Sequence, residues 1–103
     1  MKLIVGNQKS YLNSRDMDEF LLGIGALHSN TVVICPSFIY LDRFKGQNIL
    51  LGSQTVSNYE TGATTGELSA EQLKSIGVDF SIVGHSERRQ KLNESINDTR
   101  IKI

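Results

Sequence analysis

The sequence is poor in the features that mark several protein classes. Its 103 residues contain one cysteine, one proline and no tryptophan. A single cysteine excludes an internal disulfide, and the apolar neighbours Val32, Val33 and Ile34 make Cys35 a packed thiol, expected in a reducing cytosol. There is no excess of either charge, since eleven basic side chains balance eleven acidic ones. That argues against a nucleic-acid surface, which usually shows as a basic surplus. No apolar run approaches the ~20 residues of a membrane span, and the amino terminus has neither the h-region nor the cleavage site of a signal peptide. A cytoplasmic protein that meets no membrane is expected. No Walker-type phosphate loop is present, which leaves a phosphate-binding module without its usual loop.

What is present is a short globular chain with 39% apolar residues, enough for one core over residues 1–103. Apolar runs alternate with helical patterns. Leu3-Ile4-Val5 before Gly6-Asn7, Thr31 to Cys35 before Pro36, Ile49 to Gln54, and Phe80 to Gly84 read as buried strands rich in β-branched residues and closed by turn formers. Near-continuous apolarity suits parallel strands covered on both faces, and each gap has room for a crossover helix. Met17, Phe20, Leu21, Ile24 and Leu27 form the stripe of a helix that Ser14 or Asp16 can cap. Ser37 is placed to cap a short helix through Phe44, and Ser69 with Gln72 makes a capping box opening a helix that Gly77 ends. His28 falls where a helix should end, as an exposed cation without a catalytic part.

Chemistry is expected at residues 82–89, where an apolar strand passes through Gly84 into His85 and the polar cluster Ser86-Glu87-Arg88-Arg89. In parallel α/β proteins the loops at the carboxyl ends of strands form the ligand crevice. The stretch from Thr55 to Glu67 is long, polar and nearly free of aliphatic side chains, as functional or mobile loops are.

Three strings resemble signatures of the triosephosphate isomerases. Gly84-His85-Ser86-Glu87-Arg88-Arg89 is similar to the segment around that family's electrophilic histidine. Gly62-Ala63-Thr64-Thr65-Gly66-Glu67 resembles the Gly-Ala-Phe-Thr-Gly-Glu loop tip that enters the neighbouring subunit, with Thr64 in place of the phenylalanine anchor. Gly6-Asn7-Gln8-Lys9-Ser10 resembles Gly-Asn-Trp-Lys-Met, with Gln8 and Ser10 departing in a way expected to loosen packing around Lys9. The order and spacing match, and the resemblance covers essentially the whole chain.

The resemblance implies an α/β fold of the (β/α)8 TIM-barrel family, of which this chain supplies about four βα units from the amino-terminal half. It implies interconversion of dihydroxyacetone phosphate and glyceraldehyde 3-phosphate through an enediolate, in glycolysis and gluconeogenesis, with no cofactor and no metal. His85 would polarise the substrate carbonyl as a neutral imidazole, Lys9 would supply fixed positive charge, and Asn7 would orient the substrate. Ser86 and Glu87 would support the helix start, Glu87 bracing Lys9. Arg88 and Arg89 are expected in structural ion pairs with Glu67 or Glu94. A homodimer would use the loop Thr64, Thr65, Gly66 and Glu67. The family's glutamate base, lid and later phosphate loops belong to a part that a barrel of ~250 residues would add, so the chain by itself is expected to be inactive or nearly so. The alternative is a non-catalytic half-barrel that self-associates through its uncovered edges.

Overall fold

A computed structural model describes residues 2–103. Its strands are β1 (Ile4–Asn7), β2 (His28–Cys35), β3 (Asn48–Ser53) and β4 (Phe80–Ser81). Its helices are α1 (Ser14–Ile24), α2 (Ala70–Ser75), α3 (Ser86–Lys91) and α4 (Ile96–Lys102), and a 3-10 helix spans Phe38–Phe44. The strands lie in the order β1-β2-β3-β4, and every neighbouring pair is parallel. This is the βα series expected from the alternating runs, with each strand beside its predecessor as short crossovers favour.

Four local assignments differ from the sequence expectation, the first being β4, which is paired over Phe80–Ser81 only although the apolar run continues to Gly84. His28 begins β2 and pairs with Asn48, because the helix stripe breaks at Gly25 and the β-branched run beyond pulls the chain into the sheet. Asn13 caps α1 instead of Ser14 or Asp16, its side chain accepting from the Asp16 amide while the Asp16 carboxylate accepts from the Asn13 amide. The segment after Ser37 is a 3-10 helix, and the Ser37 side chain makes no capping hydrogen bond. The Ser69–Gln72 capping box is present as expected. A second box, Ser95 with Asp98, opens α4.

The core is the layer between sheet and helices. Met17, Leu41, Phe44, Leu51, Val56 and Leu73 are buried there, with Phe20 packed on Phe44 at 6.2 Å between ring centroids. On the opposite face, the inside of the incipient barrel, Val33 and Cys35 are buried beside Gly52. A Cβ at Gly52 would stand 2.5 Å from Cys35 Sγ, so only glycine lets β2 and β3 close up at that point. Burial pushes the Cys35 thiol pKa up, which keeps it protonated and inert.

Among the described residues nothing fully covers the two outer strands. Ile4 and Val5 on β1 are 66% and 52% exposed, and Phe80 on β4 is 44% exposed. The accessible surface is 7170 Å² for 11.4 kDa, against about 5,800 Å² for a compact monomer of that mass. The radius of gyration, 14.0 Å, likewise exceeds the roughly 13 Å of a compact domain this long. An open, curved sheet with two free edges accounts for both excesses.

Gly84 joins β4 to α3 and adopts φ +70°, a left-handed conformation that disfavours any side chain. Thr99 of α4 closes over it, with Cγ2 only 2.9 Å from where a Cβ would stand. Gly84→Ala should therefore destabilise the fold by about 2 kcal/mol or more through left-handed strain and overpacking. Adding Thr99→Ser, which deletes that methyl, should recover part of the loss. Urea titration of the two variants checks both the loss and the partial recovery.

Candidate active site

The parallel register brings the carboxyl ends of the strands to one rim. Asn7 pairs with Cys35 across β1 and β2, Ser53 pairs with Ser81 across β3 and β4, and His85 follows four residues beyond. A cavity of about 290 Å³ lies at this rim, and Asn7, Lys9, Gln54, His85, Glu87 and Arg88 line it. The residues expected at the site from sequence, Asn7, Lys9, His85 and Glu87, are thus brought together. Ser86 is exposed at the first position of α3 and does not line the cavity.

His85 is the N-cap of α3. Its Nδ1 accepts the Glu87 backbone N–H at 3.1 Å. An acceptor Nδ1 must carry the lone pair, so the neutral ring holds its proton on Nε2, and Nε2–H is the donor left for a ligand. The local sequence produces this directly, because histidine at an N-cap reaches the amide two residues ahead as asparagine or serine would.

Lys9 follows β1 in a left-handed turn with φ +52°. Asn7 Oδ1 accepts the Lys9 amide at 2.9 Å, closing an Asx turn. Lys9 Nζ reaches Glu87 Oε1 at 2.7 Å. That hydrogen bond and the attached charge hold the Lys9 pKa above its ordinary value and the Glu87 pKa below its own, so both groups stay ionised. Glu87 bracing Lys9 is what the sequence suggested.

Gln54 was not singled out in the sequence, yet it stands at the cavity. Its Nε2 donates to Lys9 O at 2.8 Å and to Cys35 O at 3.0 Å. An amide immediately after a buried strand, level with the other strand ends, was the available signal. The Gln8 side chain, at the position of the family's tryptophan, has its Oε1 buried without a hydrogen-bond partner.

Beneath the cavity lies a second charged group. Glu94 is buried and accepts from Arg88 Nε at 2.6 Å, while Lys102 Nζ sits 3.2 Å from its other oxygen as an ion pair. Lys102 Nζ also donates to Thr55 Oγ1 at 3.1 Å, so the cluster joins α3, α4 and the start of the long loop. Arg88 pairs with Glu94, as one of the two sequence options had it. Arg89 makes no such pair and donates to Gly84 O at 3.0 Å. Glu67 is engaged elsewhere, accepting from Ser57 Oγ at 3.5 Å.

The loop tip does not join the site of its own chain. Thr65, Gly66 and Glu67 are exposed, Thr64 is half-buried, and none of the four lines the His85 cavity. A Thr64 carbonyl to Glu67 amide turn at 3.0 Å shapes the tip. No group of three or more His, Cys, Asp or Glu side chains suited to a metal gathers among the described residues, and no described helix is long and apolar enough to cross a membrane.

A parallel sheet with alternating helices and a polar crevice built from its strand-to-helix loops defines the class: a partial (β/α)8 barrel with its site on the carboxyl rim. The model of the family described as triosephosphate isomerase matches residues 2–103, and the chain belongs to that family. A triosephosphate isomerase of Methylococcus capsulatus is 40% identical over 101 residues, a match covering 90% of this chain and 40% of that protein. One from Clostridium botulinum is 35% identical over 108 residues, covering 98% and 44%. The crystal structure of triosephosphate isomerase from Bartonella henselae superposes with a TM-score of 0.83 at 34% identity, covering 98% of this chain and 44% of that one. The chain therefore spans less than half the length of the relatives it matches.

For Glu94, burial pushes the carboxyl pKa up, but hydrogen bonds and charge from Arg88 and Lys102 outweigh it and leave it below the ordinary range. A depressed folded-state pKa contributes stability that is present above the ordinary carboxylate value and lost as pH falls through the folded-state value. Glu94→Gln should cost about 3 kcal/mol at neutral pH, since it strands two cations on a buried neutral group. The deficit relative to the parent should shrink as both are acidified below the carboxylate range. Denaturant melts at several pH values measure it.

Proposed function

We propose that this chain carries the electrophilic part of a triosephosphate isomerase site. The observation that supports it most is the His85 hydrogen bond: with Nδ1 occupied by a backbone N–H, a neutral imidazole presents Nε2–H to the same cavity that receives the Lys9 ammonium. A carbonyl oxygen seated there gains a donor as charge develops on it, and Lys9 stabilises the enediolate and the phosphate through space. This family is itself a well-known case of a histidine kept neutral so that imidazole, not imidazolium, polarises the carbonyl. Asn7, by fixing the Lys9 turn, orients the charge. The substrate is a small phosphorylated triose, exchanged between its ketose and aldose forms as in glycolysis and gluconeogenesis, and the proposed setting is the cytoplasm.

The general base is not supplied by this cavity. Glu87 is the one carboxylate lining it among the described residues, and its ion pair with Lys9 makes it a weak proton acceptor. The base therefore comes from outside these residues, and the chain by itself is proposed to be inactive or nearly so. A homodimer is proposed through the exposed tip at Thr64, Thr65, Gly66 and Glu67, with threonine at the family's aromatic position weakening the anchor. The exposed apolar residues on β1 and β4 favour a second reading, a non-catalytic half-barrel that self-associates through its open edges.

Isomerase turnover of the purified chain, alone and mixed with the carboxyl-terminal portion of the Methylococcus capsulatus relative, tests the first reading. Turnover is expected only in the mixture, and His85→Ala should reduce it by about 10²–10⁴-fold. Turnover undiminished by His85→Ala would remove the proposal. Sedimentation of the chain alone tests the second reading, which requires a concentration-dependent oligomer.

A further inference from the structure

We propose that Gln54 is a positioning residue whose side-chain amide locks the left-handed Lys9 turn to the end of β2 and so aims the Lys9 ammonium into the cavity. The proposal rests on the isomerase reading only for what that ammonium does, not for how it is held.

Lysine at φ +52° sits in a conformation that costs any residue with a Cβ, and such strain persists only where the surroundings over-determine it. The two sides of the Lys9 peptide are held differently. On the amide side, Asn7 Oδ1 accepts at 2.9 Å, but Asn7 is two residues away and shares the turn, so that bond closes the turn without attaching it to anything else. On the carbonyl side the partner is Gln54, 45 residues on and at the end of another strand.

The chemistry of the primary amide suits this place. Nε2 carries two hydrogens in one plane, and the two acceptors found are Lys9 O at 2.8 Å and Cys35 O at 3.0 Å. Cys35 O also accepts the Gln8 backbone N–H at 3.0 Å, which uses both of its lone pairs. One side chain thus ties the turn after β1 to the last residue of β2 from the end of β3. Lys9 Nζ then meets Glu87 on α3 at 2.7 Å, which carries the chain of contacts on from the sheet to the helix. Removing the amide donors leaves Lys9 O without this partner and Cys35 O with the Gln8 N–H alone, and frees the turn to relax toward negative φ, carrying the ammonium away from Glu87.

The test reads the position of Lys9 without turnover. In the uniformly labelled chain, NMR follows the carboxyl titration of Glu87, which is faced by Lys9, His85 and Lys91, together with the backbone couplings that report φ of Lys9. In Gln54→Ala, and in Gln54→Glu, which keeps the shape but has no donor, the Glu87 midpoint should rise toward the ordinary carboxylate range and Lys9 should lose its positive φ. A Glu87 titration and Lys9 couplings unchanged in both variants overturn the proposal. Each variant should also lower the folding equilibrium constant by about ten-fold, and this loss should shrink in a Lys9→Gly background, since glycine takes the left-handed turn without a clamp. If neither variant folds, Lys9→Gly must restore the fold of Gln54→Ala; failure to do so overturns the proposal, because Gln54 would then act on something other than the Lys9 backbone. Absence of isomerase turnover under every condition would defeat the functional reading and leave these measurements standing.

Discussion

Everything at the candidate site depends on parallel register. Asn7 lies opposite Cys35, and Ser53 opposite Ser81, so the chain leaves each strand on the same side of the sheet and its first polar residues meet. One antiparallel strand would send its following loop to the far rim, a full strand length away, and Lys9 and His85 could not share a cavity. The register is held by close side-chain fits on the inner face, where Gly52 admits Cys35 Sγ, and by the Leu51-centred core on the helix side.

On that rim, charge and backbone geometry act together. Lys9 and Glu87 hold each other ionised, and the Glu87 amide in turn fixes the tautomer of His85 through Nδ1. One residue of α3 therefore sets both the cation and the neutral donor of the cavity, with its carboxylate and its backbone respectively. The same coupling engages Glu87, the carboxylate that lines the cavity among the described residues, as a counter-ion. Below it, Glu94 ties Arg88 and Lys102 into one buried group, and Thr99 closes over Gly84. α4, which lines no part of the cavity, thus contributes by holding the turn from which His85 projects.

Much of the fold was legible along the chain because its signals are local. Val32, Val33 and Ile34 before Pro36 could only be strand, and Ser69 with Gln72 names a helix start by chemistry that needs nothing beyond four residues. Errors fell where distant packing decides between close alternatives. His28 could end a helix or begin a strand, and its pairing with Asn48, twenty residues away, settled it. β4 is paired over only Phe80–Ser81, although the apolar run continues to Gly84, because no further strand lies alongside it among the described residues.

The sequence by itself determined the βα alternation, the caps of α2, the packed thiol, and the identity of the polar residues after β1 and β4, since each follows from periodicity, side-chain reach or a string of adjacent residues. Three strings also sufficed to indicate the triosephosphate isomerase family. Only the tertiary structure decided that Gln54 belongs to the site, that Arg88 pairs with Glu94 while Arg89 binds a backbone carbonyl, and that Lys9 holds a left-handed turn. Those facts join residues five to 45 positions apart or concern a single dihedral angle. Neither a hydrogen bond across a sheet end nor a strained φ leaves a period or a motif in the chain; both exist only once the strands are side by side.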